Sequence, residues 1–176
     1  WHSVHHSSKR LYWFNSLRLH PLESLFDFFW ALRLVLVNAP AEVAFVTTLL
    51  STTISRFQHT NMDLRLGPLD YIFSSPNNHR YHHSKDISES NSNYGGDVII
   101  WDHLFGTFHL PKGKKPSDDI GIADLPNYPQ DLNGLMLAPF RYKDLKSNAL
   151  EVNVMHEAKI MNIPDNGCED KPNRVR

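Results

Sequence analysis

The sequence predicts an all-α fold, a helical bundle built around a hydrophobic helical hairpin. Two apolar segments of helical length, residues 22–37 and 41–57, are separated only by the helix-breaking Asn38-Ala39-Pro40. Three histidines in WHSVHHS and three in NNHRYHHS recur at positions i, i+3 and i+4, which share one face of an α-helix. The apolar segments therefore predict the hairpin, and the histidine segments predict two further helices.

Length and charge limit the organisation and the partners of the chain. With 176 residues, one domain with a sizeable core is the expectation, and we assign it to residues 1–145, followed by a polar, flexible tail over residues 146–176. The 18 lysines and arginines nearly balance the 19 aspartates and glutamates, so no overall positive field attracts nucleic acid. The single Cys168 excludes an intramolecular disulfide and leaves nitrogen and oxygen as metal ligands.

The chain opens inside its first histidine segment. Trp1 stands in place of an initiating methionine, and His2 already belongs to the cluster, without the basic and apolar regions of a signal peptide. We therefore expect the chain to be a fragment of a longer protein, with further residues of its site encoded upstream.

The two arms of the hairpin come next. LESLFDFFWALRLVLV, residues 22–37, is apolar except for Glu23, Asp27 and Arg33, and AEVAFVTTLLSTTISRF, residues 41–57, carries Ser and Thr that can hydrogen-bond to their own helix backbone. Each arm would be roughly 24–25 Å long, somewhat less than the ~30 Å hydrocarbon core of a bilayer. Hydropathy thus leaves two alternatives, a hairpin buried in a soluble bundle and a short hairpin that dips into a membrane.

Turns connect the hairpin to the second histidine segment. Gln58-His59-Thr60-Asn61 is a polar patch at the end of the second arm, and Gly67-Pro68 and Ser75-Pro76 are turn signals. Asn77 or Asn78 is the predicted N-cap of the helix that carries the second set of histidines.

The segments beyond residue 96 are more varied. Residues 97–108, DVIIWDHLFGTF, are dense enough in aliphatic and aromatic side chains to predict burial. Residues 111–119 form a basic, proline-bounded linker, and an amphipathic piece lies around residues 132–140. Residues 146–176 have too few apolar side chains to bury themselves well.

The two histidine segments share the pattern HxxHH, and we refer to them as the histidine boxes. Their members are His2, His5 and His6 in the first box and His79, His82 and His83 in the second. At this histidine content the pattern would arise roughly 0.04 times by chance, so two copies indicate a chemical role. Buried imidazoles without partners cost about 1–3 kcal/mol each, so packing gives no reason to collect them, whereas metal coordination does. The isolated His20, His109 and His156 are instead expected to be surface or capping residues.

The number of histidines predicts two metal ions. One catalytic zinc is satisfied by about three protein ligands and an open position, whereas the two boxes and His59 supply more than twice as many donors. Imidazole binds iron, zinc, copper and nickel, so the ligand type leaves the metal open. An all-histidine pair of metals with open positions can bind and reduce dioxygen. Candidates for outer acceptors that orient the rings are Asn61, Asp86, Asp97 and Asp102.

The residues around the boxes resemble the integral-membrane fatty acid hydroxylase and sterol desaturase superfamily. The matching landmarks cover about residues 1–111 and are, in chain order, WHSVHHSS, NSLRLHPLE, QHTN after the hairpin, NNHRYHHS and NYGGDVIIWDHLFGTFHLP. The resemblance implies a di-iron oxygenase with two iron ions as cofactors. The metal ligands that it implies are His2, His5, His6, His59, His79, His82 and His83.

The same resemblance implies the reaction, the partners and the location. The reaction would be O₂-dependent hydroxylation or desaturation of a lipid or sterol C–H bond, with electrons from a small redox carrier. The fold would be a membrane-associated helical bundle with a cytosol-facing histidine-box cap, in a bacterial inner membrane or the endoplasmic reticulum. NYGG and WDHLFGT resemble more closely the members that hydroxylate lipids, including ether-lipid monooxygenases.

The sequence departs from the family pattern in two places. The family's earlier histidine box is missing, so this fragment alone is expected to bind metal incompletely and to be inactive. His103, in WDHLFGT, stands where many members have arginine, and we expect a surface exchange rather than an added ligand.

Two other functions fit parts of the sequence. A zinc hydrolase would use one box, but the HExxH glutamate that serves as general base in such enzymes is missing. A non-catalytic, histidine-rich metal-binding protein would have no need of a hydrophobic hairpin between its boxes.

Overall fold

The computed structural model describes the backbone of residues 1–125 and 127–160 and the side chains up to residue 153. In this part of the chain it contains helices and two isolated β-bridges, Phe73 with Val98 and Ser84 with Ile120, but no strand. The predicted all-α class is therefore confirmed for the described residues. The α-helices are α1 (His2–His6), α2 (Pro21–Leu36), α3 (Ala41–Gln58), α4 (Pro76–His82), α5 (Ile87–Ser90), α6 (Ile100–Phe105), α7 (Leu132–Leu137) and α8 (Tyr142–Ile160).

Helices α2 and α3 are the two predicted arms, within one residue of their expected ends. His20 caps α2 by accepting a hydrogen bond on Nδ1 from the Leu22 amide, and Pro21 supplies the pre-set φ of the first helical position. Asn38, with φ of 54°, turns the chain between the arms. The 3₁₀ helix Trp13–Leu17 packs against α3, so the chain enters and leaves the hairpin at the same end.

The apolar side chains of the hairpin face outward. No residue of α2 is buried, and in α3 only Gln58 is. Phe26, Trp30 and Leu36 are 59%, 66% and 78% exposed. The alternative of a hairpin buried within this chain is therefore wrong. None of the helices in residues 1–125 and 127–160 is both long enough and apolar enough to cross a membrane.

The prediction that residues 97–108 are buried is wrong for helix α6. Ile99 and Asp102 are buried, but Trp101, Leu104 and Phe105 are 57%, 69% and 73% exposed. The helix has only six residues, so a single face contacts the rest of the chain. Gly106 then ends it in the left-handed conformation, with φ of 73°.

A small apolar core lies between α7 and α8. Leu125, Tyr128 and Ala138 are buried there, and Leu145 and Ala149 of α8 pack against them. Residue 145, after which we predict the domain to end, lies within α8. Residues 161–176 of the predicted tail lie outside the described residues.

Candidate metal centre

Helices α1 and α4 and the end of α3 bring the seven predicted histidines into one cluster. The first box lies on α1, the second on α4 and its C-cap His83, and His59 is the C-cap of α3. The rings of His6 and His83, from different boxes, have centroids only 4.4 Å apart. His5 and His59 lie at 4.8 Å. Segments separated by more than 70 residues of sequence thus face a common centre.

A buried polar network starts helix α4 and fixes the second box. Ser75, rather than the predicted Asn77 or Asn78, is the N-cap, because its side chain accepts from the Asn78 amide while Asn78 accepts from the Ser75 amide. Asp70 accepts the Ser75 hydroxyl at 2.5 Å. Asn78 and Ser75 are fully buried, so the direction of α4 is set by satisfied hydrogen bonds.

Four rings form the first group of candidate ligands, which we call the four-histidine group: His5, His59, His79 and His83. All four are buried. Their Nε2 atoms form a chain of close contacts, 2.9 Å from His5 to His59, 3.1 Å from His59 to His79 and 3.0 Å from His79 to His83. Two ligand nitrogens about 2.1 Å from one ion and at right angles to each other would be about 3.0 Å apart. The donor set therefore fits a single metal ion.

The remaining rings form a more open group, which we call the three-histidine group: His2, His6 and His82. His82 is buried, His6 is half-buried and His2 is exposed. The Nε2 atoms of His2 and His6 are 3.1 Å apart. All three rings line a cavity of about 360 Å³, so this group is accessible from outside. Three ligands and an open side fit a reactive metal better than a structural one.

Burial favours the neutral form of four rings, those of His5, His79, His82 and His83. Burial and then repulsion from His59 lower the pKa of His5 to about 3, and burial lowers the pKa of His82 to about 4. The pKa values of His79 and His83 are held well below the usual range, first by burial and then by neighbouring rings. Neutral imidazole is the form that binds metals, so the cluster is ready for metal at neutral pH.

Outer hydrogen bonds orient several rings, and most of the acceptors are backbone carbonyls. Nδ1 of His59 lies 2.6 Å from the Ser55 carbonyl oxygen, and Nδ1 of His82 lies 2.9 Å from that of Ser92. A proton held on Nδ1 leaves the lone pair on Nε2 for a metal. Nδ1 of His5 and of His79 is buried without a partner among the described residues.

Glu23 is an outer partner that was not predicted. Its Oε1 lies 2.5 Å from Nδ1 of His2, and its side chain is only 16% exposed. Glu23 sits in the first turn of α2, where the helix dipole favours a carboxylate. The sequence marks it as an acidic residue opening a helix, but nothing in the spacing links it to a histidine 21 positions earlier.

The four predicted outer acceptors lie in different places. Asn61 is exposed, and Asp86 caps α5 by accepting from the Ser88 amide. Asp97 accepts a hydrogen bond from the Ser51 hydroxyl at 3.1 Å. In the described part of the chain, the recorded hydrogen bonds of these side chains go to groups other than histidine rings.

Asp102 acts on the cluster indirectly, through the turn that positions Tyr94. It is 1% exposed and accepts from the amides of Tyr94 and Gly95, both at 2.8 Å, and from the Thr107 hydroxyl. Gly95 permits this turn, since a Cβ there would lie 2.3 Å from the Val98 carbonyl oxygen. The turn holds the Tyr94 ring edge-on to His82, with centroids 5.3 Å apart. The Asp102 charge also opposes the fall in the pKa of His82.

The other histidines of the described side chains lie outside the two groups. His103 stacks on Phe108 and its Nε2 is 3.1 Å from the Tyr71 carbonyl oxygen. His20 is the cap of α2 and its Nε2 contacts the Met136 carbonyl oxygen at 3.2 Å. His109 packs edge-on to Tyr81. The side chain of His156 lies outside the described residues.

Comparison with known families gives one match, to the family described as fatty acid hydroxylase, over residues 1–107. Ornithine lipid hydroxylase OlsE of Rhizobium tropici is 44% identical over 123 residues, which are 69% of this chain and 37% of that protein. Alkylglycerol monooxygenase of Xenopus tropicalis is 34% identical over 116 residues, and that of Homo sapiens 33% over 113 residues. These cover 65% and 64% of this chain and 25% of each relative. The chain thus spans well under half of these relatives, and no solved structure matches it.

Proposed function

Because this chain belongs to the fatty acid hydroxylase family, we propose that it forms part of an O₂-dependent di-iron enzyme that hydroxylates a membrane lipid. The observation that carries the proposal is the pair of adjacent histidine groups in a chain of this family. Hydroxylation is favoured over desaturation because the similar proteins are a lipid hydroxylase and monooxygenases. The same names favour a lipid over a sterol.

The two groups would hold one iron ion each. The four-histidine group is closed and buried, and the three-histidine group opens on a cavity. Bound iron would supply the reduction of O₂ and the oxidation of an unactivated C–H bond. Overall, one oxygen atom enters the C–H bond and the other leaves as water, which consumes two electrons and two protons; a small redox carrier would deliver the electrons.

The residues of the chain prepare the site for this reaction. Burial keeps the imidazoles neutral, so they coordinate without first losing a proton. The carbonyl groups of Ser55 and Ser92 accept from Nδ1 and turn Nε2 of His59 and His82 towards the centre. The Tyr94 ring contacts the His82 ring edge-on and lines the cavity beside the hairpin.

Iron analysis and isotope labelling of the complete gene product test the proposal. The expected result is two irons per chain and one atom of ¹⁸O from ¹⁸O₂ in the lipid product. A single zinc per chain, without O₂ consumption, would support a hydrolase instead. A variable metal content with no oxidised lipid would support a histidine-rich binding protein.

We also propose that the hairpin seats the enzyme in the membrane, with the histidine cluster on the cytosolic side. Helix α2 is about 24 Å long and carries outward apolar side chains on all sides, as does much of α3. The exposed Trp101, Leu104 and Phe105 of α6 would extend this apolar surface. Both ends of the hairpin lie beside the histidines, so the turn at Asn38 would be its deepest point.

Fractionation of cells that express the complete gene product tests the location. We expect the protein to stay in the membrane pellet after washes at high salt and high pH and to leave it only with detergent, because the apolar surface would hold it there. Recovery in the soluble fraction without detergent would contradict the proposed location.

A further inference from the structure

A long groove runs along the inner side of the hairpin and ends beside the histidine cluster. Two cavities, of about 630 and 490 Å³, share the lining residues Asp27, Trp30, Ser51, Ser55 and Asp97 and are therefore continuous. We call this space the hairpin groove. Its far part lies between α2 and α3, next to Leu34 and Thr47, and its near part is lined by Tyr94 and Asp102. The size and shape suit the headgroup and first chain carbons of a lipid.

Tyr94 is the partition between the groove and the candidate metals. It lines both the hairpin groove and the 360 Å³ cavity into which His2, His6 and His82 open. Its ring lies 5.3 Å from that of His82. Ser55, on the groove wall, also carries the carbonyl that accepts from His59. The near part of the groove is therefore the part that lies closest to the histidines.

The near part of the groove offers negative charge and hydrogen-bond acceptors. Asp27 and Asp97 lie where the two cavities meet, and in the described side chains neither carboxylate is in an ion pair. The Asp97 carboxylate accepts a hydrogen bond from the Ser51 hydroxyl. Gln58 also lines the groove, is 4% exposed, and has a buried Oε1 without a partner among the described residues. Among the described residues, the Asp27 carboxylate and Oε1 of Gln58 therefore have no hydrogen-bond donor, and the Asp97 carboxylate has one.

The cations of the groove are already engaged elsewhere. The Arg33 guanidinium lies over the Trp30 ring, 3.3 Å from its centroid, and Arg56 donates to the Thr52 carbonyl oxygen. Both arginines line the far part of the groove only. The described lining of the near part therefore contains carboxylates and the aromatic ring of Trp101 but no lysine or arginine, which is a favourable environment for an organic cation.

We propose that the hairpin groove binds a lipid whose headgroup carries a protonated amine, with Asp27 and Asp97 as the counter-ions and Gln58 as a further acceptor. The inference rests on the proposed hydroxylase function, since it names the substrate class of the same site. An ammonium group carries three N–H donors and a positive charge, which match these three acceptors and the two carboxylates. An uncharged glyceryl ether lipid could donate its hydroxyl hydrogens to these acceptors, but it carries no positive charge to balance the two carboxylates.

The test compares two lipids of matched chain length with the iron-loaded complete gene product. The probes are an ornithine lipid, which carries an amine, and a 1-alkylglycerol, which is uncharged. For Asp97→Asn and Asp27→Asn we expect KM for the ornithine lipid to rise roughly 10- to 100-fold, because a hydrogen bond to a charged group contributes about 1.5–3 kcal/mol. We expect kcat to stay within about twofold, because the lost interaction stabilises the bound substrate and the transition state equally. Glu42→Gln, on the exposed start of α3 and outside the groove, is the matched control.

A binding measurement separates this inference from the proposed function. Trp30 and Trp101 line the groove, so the ornithine lipid should change the tryptophan fluorescence of the metal-free protein, and Asp97→Asn should weaken that binding. Preference of the unsubstituted protein for the alkylglycerol, or equal losses for both lipids in the variants, would overturn the inference while hydroxylation stands. Binding of the ornithine lipid by a protein that oxidises neither probe would sustain the inference and refute the function.

Discussion

Replacement of one histidine in each group is expected to remove metal and abolish turnover. His5→Ala takes a buried ligand from the four-histidine group, and His82→Ala takes one from the three-histidine group. We expect each variant to retain about one iron per chain, because the histidines of the other group are unchanged. Turnover should fall by more than roughly 100-fold, since loss of an outer partner of a metal ligand alone costs 10–100-fold. Metal analysis and lipid oxidation of the purified variants measure both effects.

His103→Ala is the control for these two variants. Its ring stacks on Phe108, outside both groups, and its exposed position makes the substitution mild. It should keep two irons and nearly full activity, and the helix content of all three variants should match that of the unsubstituted protein. If His82→Ala kept both irons, or if His103→Ala lost one, the assignment of ligands to groups would be wrong.

The arrangement of the cluster follows from local rules that the sequence makes visible. The spacing of His79, His82 and His83 requires only that a helix form there, and Pro76 and the neighbouring polar residues start one. The hairpin arms likewise follow from apolar length and from the break at residues 38–40. Periodicity and helix-breaking residues act over a few turns, so a sequence expresses them directly.

The contacts between segments depend on the path of the chain, which spacing does not encode. Glu23 contacts His2 although it lies 21 positions later in the sequence, because the path of the intervening chain brings the start of α2 beside α1. Ser55 and Ser92 act through backbone carbonyls, which every residue has, so the identity of their side chains does not predict this role. The chemistry of a carboxylate suggests that it can accept from an imidazole N–H. The Asp86 carboxylate instead caps the start of α5.

The exposure of apolar side chains in residues 97–108 likewise depends on more than the local sequence. A dense apolar segment predicts that its side chains are shielded from water. It does not tell whether the same chain, another protein segment or a membrane shields them. Ile99 is buried by this chain, whereas Trp101 and Phe105 of the same segment face outward. A membrane or further segments of a longer protein would cover such side chains without any change in local structure. Composition alone does not distinguish such side chains from those buried in a core of the same chain.

Replacement of Glu23 is expected to weaken metal binding in the three-histidine group selectively. Oε1 of Glu23 accepts from Nδ1 of His2, which fixes the tautomer that leaves Nε2 free for a metal. His2 is the most exposed ring of the cluster, so this hydrogen bond is its principal restraint. Glu23→Ala should lower iron affinity at this group roughly 10- to 100-fold. Glu23→Gln should lower it less, because the amide oxygen still accepts a hydrogen bond but carries no charge.

Chelator competition, with iron bound per chain as the readout, distinguishes this role from a structural one. A positioning role predicts loss of one weakly held ion while the ion in the four-histidine group keeps its affinity, and partial recovery in Glu23→Gln. Glu42→Gln, in the first turn of α3, removes a carboxylate from an equivalent helical position without touching a histidine and should keep both ions. Equal weakening of both ions in Glu23→Ala would instead mean that Glu23 stabilises the start of α2 and the fold as a whole.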